Sequence, residues 1–365
     1  MFIRLNIGKI PLTNAELIKS FVIQKTPKEY RKELSNEWDN IEYALEENEF
    51  FGFLTKKPYN TKIELLFEIF IGLYDYKNYQ LYEIFIENYG EKDTKEIWQK
   101  IKNIFYTLKF WYEDREFYHL IGYLISSDNN IVEIYQIYEK SKDKNDFKIQ
   151  LKNQIKQNLS ISLEEIDKLS YKYSSDKKLL TKLFLLFNVI TLINSSKDSY
   201  IKFSFYHFNN ENWSIEHITP QTDKKLDLQA IKNDLEKIKD DLNNKELNKI
   251  LSKSKLDNDD IKVLEKLFSD EQINSDKDNI KNLTLLSFKN NSSLKNNFFP
   301  AKRKMIIKMD KKGEFIPIVT KNLFLKYYSG IDGNPEKWTY EDGEKYINEL
   351  TITLKEFLGV TNEKV

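Results

Sequence analysis

The sequence predicts a mainly α-helical protein with a small α+β part towards its C-terminal end. Between residues 26 and 200 apolar side chains recur at helical spacing, as in Ile63, Leu66, Phe67, Phe70 and Ile71 and again in Ile97, Ile101, Ile104 and Phe105, the mark of amphipathic helices. From Ile201 the pattern changes to alternation, with Ile201, Phe203 and Phe205 on one side and Lys202, Ser204 and Tyr206 on the other, which is the period of a strand. Two more short β-prone runs follow, Trp213 to Ile218 and Asn282 to Ser287; Pro220 closes the first and the asparagine-rich turn Lys289 to Ser293 the second.

Taken in order, Thr13 and Glu16 stand at capping-box spacing and start a helix near Ala15. Thr61 with Glu64, Asp93 with Glu96 and Ser162 with Glu165 repeat that spacing ahead of apolar-periodic segments. The aromatic residues between Phe67 and Tyr118 offer faces on which bases can stack, but their helical spacing assigns most of them to packing. His119 reads as structural. The mixed charges from Lys140 to Lys148 mark an exposed linker. Leu183 to Ile193 is the longest apolar run; interrupted by Asn188 and far short of the ~20 residues that span a bilayer, it reads as a buried helix. His207, on the apolar parity of the predicted strand, is either structural or a phosphate contact.

Further on, Leu228, Ile231, Leu235, Ile238 and Leu242 recur at helical spacing and predict an amphipathic helix hairpinned with one through Ile261, Leu264 and Phe268. That insertion is either coiled-coil-like or a partner-docking arm. A helix begins at Pro300, a residue favoured at a first helical position, and runs to about Met309. Gly313 to Thr320 reads as an edge strand, where Pro317 is tolerated, and a final helix ends near Leu358.

Composition narrows the function classes. At 365 residues the chain is long enough for two domains. Its 57 basic and 57 acidic residues cancel, so nucleic-acid affinity has to come from local patches rather than a global basic field. With no cysteine there is no disulfide and no thiolate metal site, a usage that fits the cytoplasm. The N-terminus has no signal-peptide apolar region, and no membrane association is expected.

Glu216 and His217 are neighbours near the end of the first short strand, and Asn291 lies in the turn before the predicted helix. Strand, loop, strand and helix with these residues in these places form the arrangement of an HNH nuclease site, the ββα-metal or His-Me finger. In such a site one Mg²⁺ or Mn²⁺ ion, held by the oxygens of Glu216 and Asn291, would neutralise the scissile phosphate. The neutral His217 imidazole would take the proton of the attacking water. The structural alternative is a surface acid beside a satisfied histidine, and an asparagine-rich turn in a chain rich in Lys, Asn and Ile.

The blocks Trp-x-Ile-Glu-His-Ile-x-Pro-Gln (213–221) and Asn-Leu-Thr-Leu-Leu-Ser (282–287), followed by Asn291, Asn296, Phe299 and Lys302, resemble the C-terminal HNH domain of the GmrSD-type, modification-dependent restriction endonucleases. The resemblance covers roughly residues 200 to 330. It implies Glu216 and Asn291 as metal ligands, His217 as general base, Asn282 as the residue pinning the loop that carries the base, and Lys302 as a phosphate contact. Lys281 stands where the family usually has Gly. Arg303 and Lys304, on the same predicted helix, are either further phosphate contacts or solvated surface residues.

Residues 1–25 resemble the closing segment of that family's ParB-like, nucleotide-hydrolysing domain, but the Asp-Gly-Gln-Gln-Arg motif and a Walker A loop are both missing from this chain. A separate ParB-like partner chain, an interrupted gene or a mere packing helix would each account for this. The expected organisation is therefore 1–25 remnant, 26–200 helical domain, 201–330 nuclease domain with a helical insertion at 222–275, and 331–365 a C-terminal helix packed on it. The expected activity is a metal-dependent DNA endonuclease of a restriction or antiviral defence system acting on modified phage DNA. A non-catalytic scaffold subunit is the alternative, and an RNA-cleaving toxin would share the same site chemistry.

Overall fold

The computed structural model describes residues 12–75, 77, 80–196, 200–221, 226–294, 296–330 and 333–359. Among them the protein is mainly α-helical with a single two-stranded sheet. The chain divides into two units: an N-terminal one up to Ile155 that also takes in Ser204–Asn210, and a C-terminal one made of Lys156–Phe203 and Glu211 onwards. The helical and nuclease regions predicted to meet at 200/201 thus divide elsewhere. Residues 1–11 of the predicted remnant lie outside the described residues.

The N-terminal unit runs through α1 (Asn14–Lys25), α2 (Lys28–Leu45), α3 (Asn48–Leu54), α4 (Glu64–Ile71), α5 (Gln80–Tyr89), α6 (Thr94–Glu113), α7 (Arg115–Ser126), α8 (Ile131–Lys140) and the start of α9 (Lys144–Leu159). Thr13 and Glu16 form a true capping box on α1. Asp93 caps α6 by accepting the Lys95 N–H. Thr61 does not cap α4, which starts after Ile63 with no side-chain cap bond. The aromatics pack as core: Trp38 stacks on Trp98 at 5.2 Å, and Trp111 on Phe147 at 5.2 Å. His119 is fully buried, with Nδ1 2.7 Å from the Arg115 carbonyl oxygen, a structural histidine.

After α10 (Ser174–Asn194) the sequence turns to alternation, but Ile201 to Tyr206 form no strand. Instead α11 (Phe205–Asn210) belongs to the N-terminal unit. A Cβ at Gly122 would meet the Phe205 ring at 2.2 Å, and one at Gly52 would meet the Tyr206 ring at 2.7 Å. These glycines make the sockets for the two rings. That tertiary demand overrides the local period, and it places His207 on α11 rather than on a strand.

In the C-terminal unit α10 is the central helix, buried from Leu183 to Ile190. The two strands pair antiparallel: β1 (Trp213–His217) against β2 (Leu283–Ser287), with Glu216 opposite Thr284 and His217 opposite Leu283. Between them lie α12 (Leu228–Glu236), α13 (Lys239–Leu242), α14 (Lys245–Leu251), α15 (Asn258–Phe268) and α16 (Glu271–Ser275). The predicted long hairpin is thus a set of short helices; Asn243, in the left-handed region at φ +45°, ends α13 where the apolar period alone would continue. Ile231, Leu235, Leu247, Ile250, Leu264 and Phe268 give this insertion its own core, closed by Phe298 and Ala301. After β2 come α17 (Phe288–Leu294), where a turn was expected, and α18 (Phe299–Lys311), with Pro300 in its first turn.

The predicted edge strand at 313–320 is also replaced by a helix, α19 (Ile318–Phe324), which follows Pro317. Asn188 explains this. Its side-chain oxygen accepts the Val319 N–H at 2.8 Å, and its amide donates to the Phe184 carbonyl of α10 at 2.7 Å. The asparagine that interrupts the apolar run therefore satisfies a first-turn donor of α19. The last helix, α20 (Tyr340–Leu358), starts at a Thr339–Asp342 capping box and buries Tyr346 against Phe184 and Phe187. No helix among the described residues is long and apolar enough to cross a membrane.

Candidate active site

Successive residues of a strand point to opposite faces, so Glu216 and His217, adjacent in sequence, look in opposite directions. Ser214 and Glu216 share one face of β1. Trp213, Ile215 and His217 share the other.

On the first face the Glu216 carboxylate is buried and accepts from the Lys302 ammonium of α18 at 2.6 Å. Lys302 is itself 1% exposed and donates also to the His217 carbonyl oxygen at 2.5 Å. Burial pushes the Glu216 carboxyl above its ordinary value, against the pull of Lys302. Asn291, on α17, donates its amide to the Ser214 hydroxyl at 2.8 Å. The strand face therefore gathers the two residues expected to hold a divalent ion. Glu216 does not suit one, because its carboxylate faces a buried ammonium. Among the described residues there is no group of three or more His, Cys, Asp or Glu side chains placed to hold a metal.

Lys302 departs from the exposed phosphate contact expected of it, because its charge is spent on Glu216. Arg303 is half-buried and its Nε donates to the Phe324 carbonyl at 3.0 Å. Lys304 alone of the three is exposed, and it pairs with Asp241 of the insertion at 2.6 Å. The helical lysine and arginine positions thus serve packing and the insertion.

On the opposite face, the His217 side chain is largely buried, 11% exposed, and its Nε2 lies 2.8 Å from Oδ1 of Asp278. The Gln221 amide nitrogen is 2.7 Å from the same oxygen and 2.9 Å from Nε2. The Tyr171 ring meets the imidazole edge-on at 5.5 Å, and the Lys177 ammonium lies over the Tyr171 ring at 4.4 Å.

Backbone pairing holds this cluster in place. The Tyr171 N–H donates to the Asp278 carbonyl at 2.8 Å and the Ile280 N–H to the Leu169 carbonyl at 2.9 Å, which stitches the Asp278 loop to the segment ahead of α10. Asn282 is fully buried where the resemblance placed a pin: its Oδ1 accepts the Thr219 N–H at 2.9 Å and the Thr219 hydroxyl at 3.1 Å, and its Nδ2 donates to the Lys277 carbonyl at 2.9 Å. Asn296 brackets Gln221 by accepting from its N–H at 2.8 Å and donating to its carbonyl at 2.7 Å. The segment after β1 and the loop before β2 are thereby locked around His217.

Asp278, Tyr171 and Lys177 were not singled out from the sequence. Asp278 sits four residues before Asn282, a spacing open to inspection. Tyr171 and Lys177 precede His217 by forty positions or more and carry no local signal. Compared with models of known protein families, with curated proteins and with solved structures, the chain gives no match.

Proposed function

We propose that the C-terminal unit is an HNH-type phosphodiester hydrolase acting on DNA, with His217 as the residue that takes a proton from the attacking water. One observation carries this reading: His217 ends the first strand of an antiparallel pair, and buried Asn282 ties the segment that follows it to the start of the second strand. In the reaction a water O–H bond breaks and its proton passes to the imidazole. The resulting hydroxide oxygen bonds to phosphorus, the bond from phosphorus to the leaving sugar oxygen breaks, and that oxygen takes a proton from solvent. A positioned general base contributes about 10²- to 10⁴-fold to such a step. The sequence blocks support the narrower version, a restriction enzyme for modified phage DNA working with a nucleotide-hydrolysing ParB-like partner.

A second reading has its own observation. Because Glu216 is buried against Lys302, the unit also suits a nuclease-like scaffold that has given up metal binding on that face. Cleavage of plain, hydroxymethylated and glucosylated DNA, and of RNA, with Mg²⁺, with Mn²⁺ and with chelator, separates the two. The nuclease reading expects cutting by the wild type and loss of about 100-fold or more in His217→Ala. Equal cutting by the two proteins takes His217 out of the base role, and no cutting from either under every condition leaves the scaffold.

A further inference from the structure

We infer that Asp278 is a positioning residue that holds the His217 imidazole in its Nε2–H form. The assignment rests on the nuclease reading for its purpose, but on geometry for its substance. Nε2 has one outward position in the ring plane, filled by either a proton or a lone pair. At 2.8 Å from Oδ1 of Asp278, a lone pair would face the lone pairs of a carboxylate. A proton there instead makes a charge-assisted hydrogen bond.

Gln221 is consistent with this assignment. Its amide nitrogen lies closer to the Asp278 oxygen, at 2.7 Å, than to Nε2, at 2.9 Å. One of its two N–H groups goes to the carboxylate, which in this assignment accepts from both neighbours. Asn296 fixes the Gln221 backbone, and the pairing of Tyr171 with Asp278 and of Ile280 with Leu169 fixes the Asp278 backbone. The acceptor is thus preorganised, as a supporting residue must be if it is to orient a reacting one.

With Nε2 carrying its proton towards Asp278, the proton drawn from water arrives at Nδ1. Nothing in the local sequence announces this pair: the two residues are 61 positions apart and meet because the Asp278 loop is stitched to the segment before α10.

The test is made on the full chain with ¹⁵N-labelled histidine. There are three histidines, so the signals lost in His217→Gln identify the ring, and nitrogen shifts distinguish the two tautomers. In the wild type at neutral to alkaline pH we expect His217 as the Nε2–H form. In Asp278→Asn, with a thermal melt showing that it folds, the ring is expected to move towards the Nδ1–H form or a mixture, and in Asp278→Glu to return towards the wild-type form.

If the wild type cleaves DNA, Asp278→Asn lowers kcat by about 10- to 100-fold with KM changed less than about threefold, and Asp278→Glu recovers part of the loss. A His217 tautomer that is the same in wild type and folded Asp278→Asn overturns the inference. So does the Nδ1–H form in the wild type. If the wild type is inert on every nucleic acid while the tautomer still follows Asp278, the pairing stands and the nuclease reading falls.

Discussion

The Lys302 ammonium sits 2.6 Å from the Glu216 carboxylate, with both side chains buried between β1 and α18. A buried pair is costly to break from one side, because the partner is left as an unpaired charge out of water. The two sides are not equivalent here, since burial outweighs Lys302 in setting the Glu216 carboxyl and pushes it up.

Lys302→Met is therefore expected to destabilise the chain by about 3–5 kcal/mol at neutral pH, and Glu216→Gln, which keeps an acceptor oxygen and removes the charge, by less. The pH dependence has a definite sign. A carboxyl raised in the folded state holds its proton more tightly than the unfolded chain does, so that contribution is present below the ordinary value of 4.5 and is lost as pH rises through the raised value. The penalty of Lys302→Met should shrink as the pH is lowered towards 4.5. Urea denaturation across pH, comparing wild type, both single variants and the double variant, measures this; a penalty independent of pH would exclude a charged Glu216 as its source.

Asn282→Ala should cost about 1–3 kcal/mol, the price of leaving a buried donor unsatisfied, because the Thr219 N–H loses its acceptor. It should also loosen the segment that follows His217 and lower any cleavage rate. Asn282→Asp keeps the acceptor for Thr219 but cannot donate to the Lys277 carbonyl, so it should fall between. Thermal melts together with hydrogen exchange at Thr219 are the measurement; wild-type protection at Thr219 in Asn282→Ala would refute the pinning role.

Lys177 is exposed and lies over Tyr171 beside the His217 ring. If nucleic acid runs past His217, this ammonium neutralises one phosphate, and Lys177→Ala should reduce the slope of log affinity against log salt by about 1. Fluorescence anisotropy with a labelled duplex at several salt concentrations reads this directly. An unchanged slope would move the phosphate path elsewhere. Lys302→Met, in contrast, should leave the slope alone, since its ammonium is buried.

What local sequence determined was the set of elements whose signals are short in range. The strand runs at Trp213 and Leu283, the proline-started α18 and the Thr13 helix start all follow from neighbours within a turn or a pleat. Asn282 was singled out too, through motif resemblance, as the residue expected to pin the loop that carries the base. Alternation alone implied that Glu216 and His217 face opposite ways, although their adjacency suggested a shared centre.

Tertiary structure alone decided what each side chain meets. Lys302 looks like any surface cation in a run of basic residues, until α18 packs its inward face on β1 and pairs the ammonium with Glu216 and the His217 carbonyl oxygen. The alternation at Ile201 to Tyr206 yields to glycine sockets that lie more than eighty residues upstream. Asp278 reaches His217 through backbone pairing with Leu169 and Tyr171. Burial and partner choice depend on contacts between segments far apart in the chain, and periodicity reports only which face a residue occupies, not what covers that face.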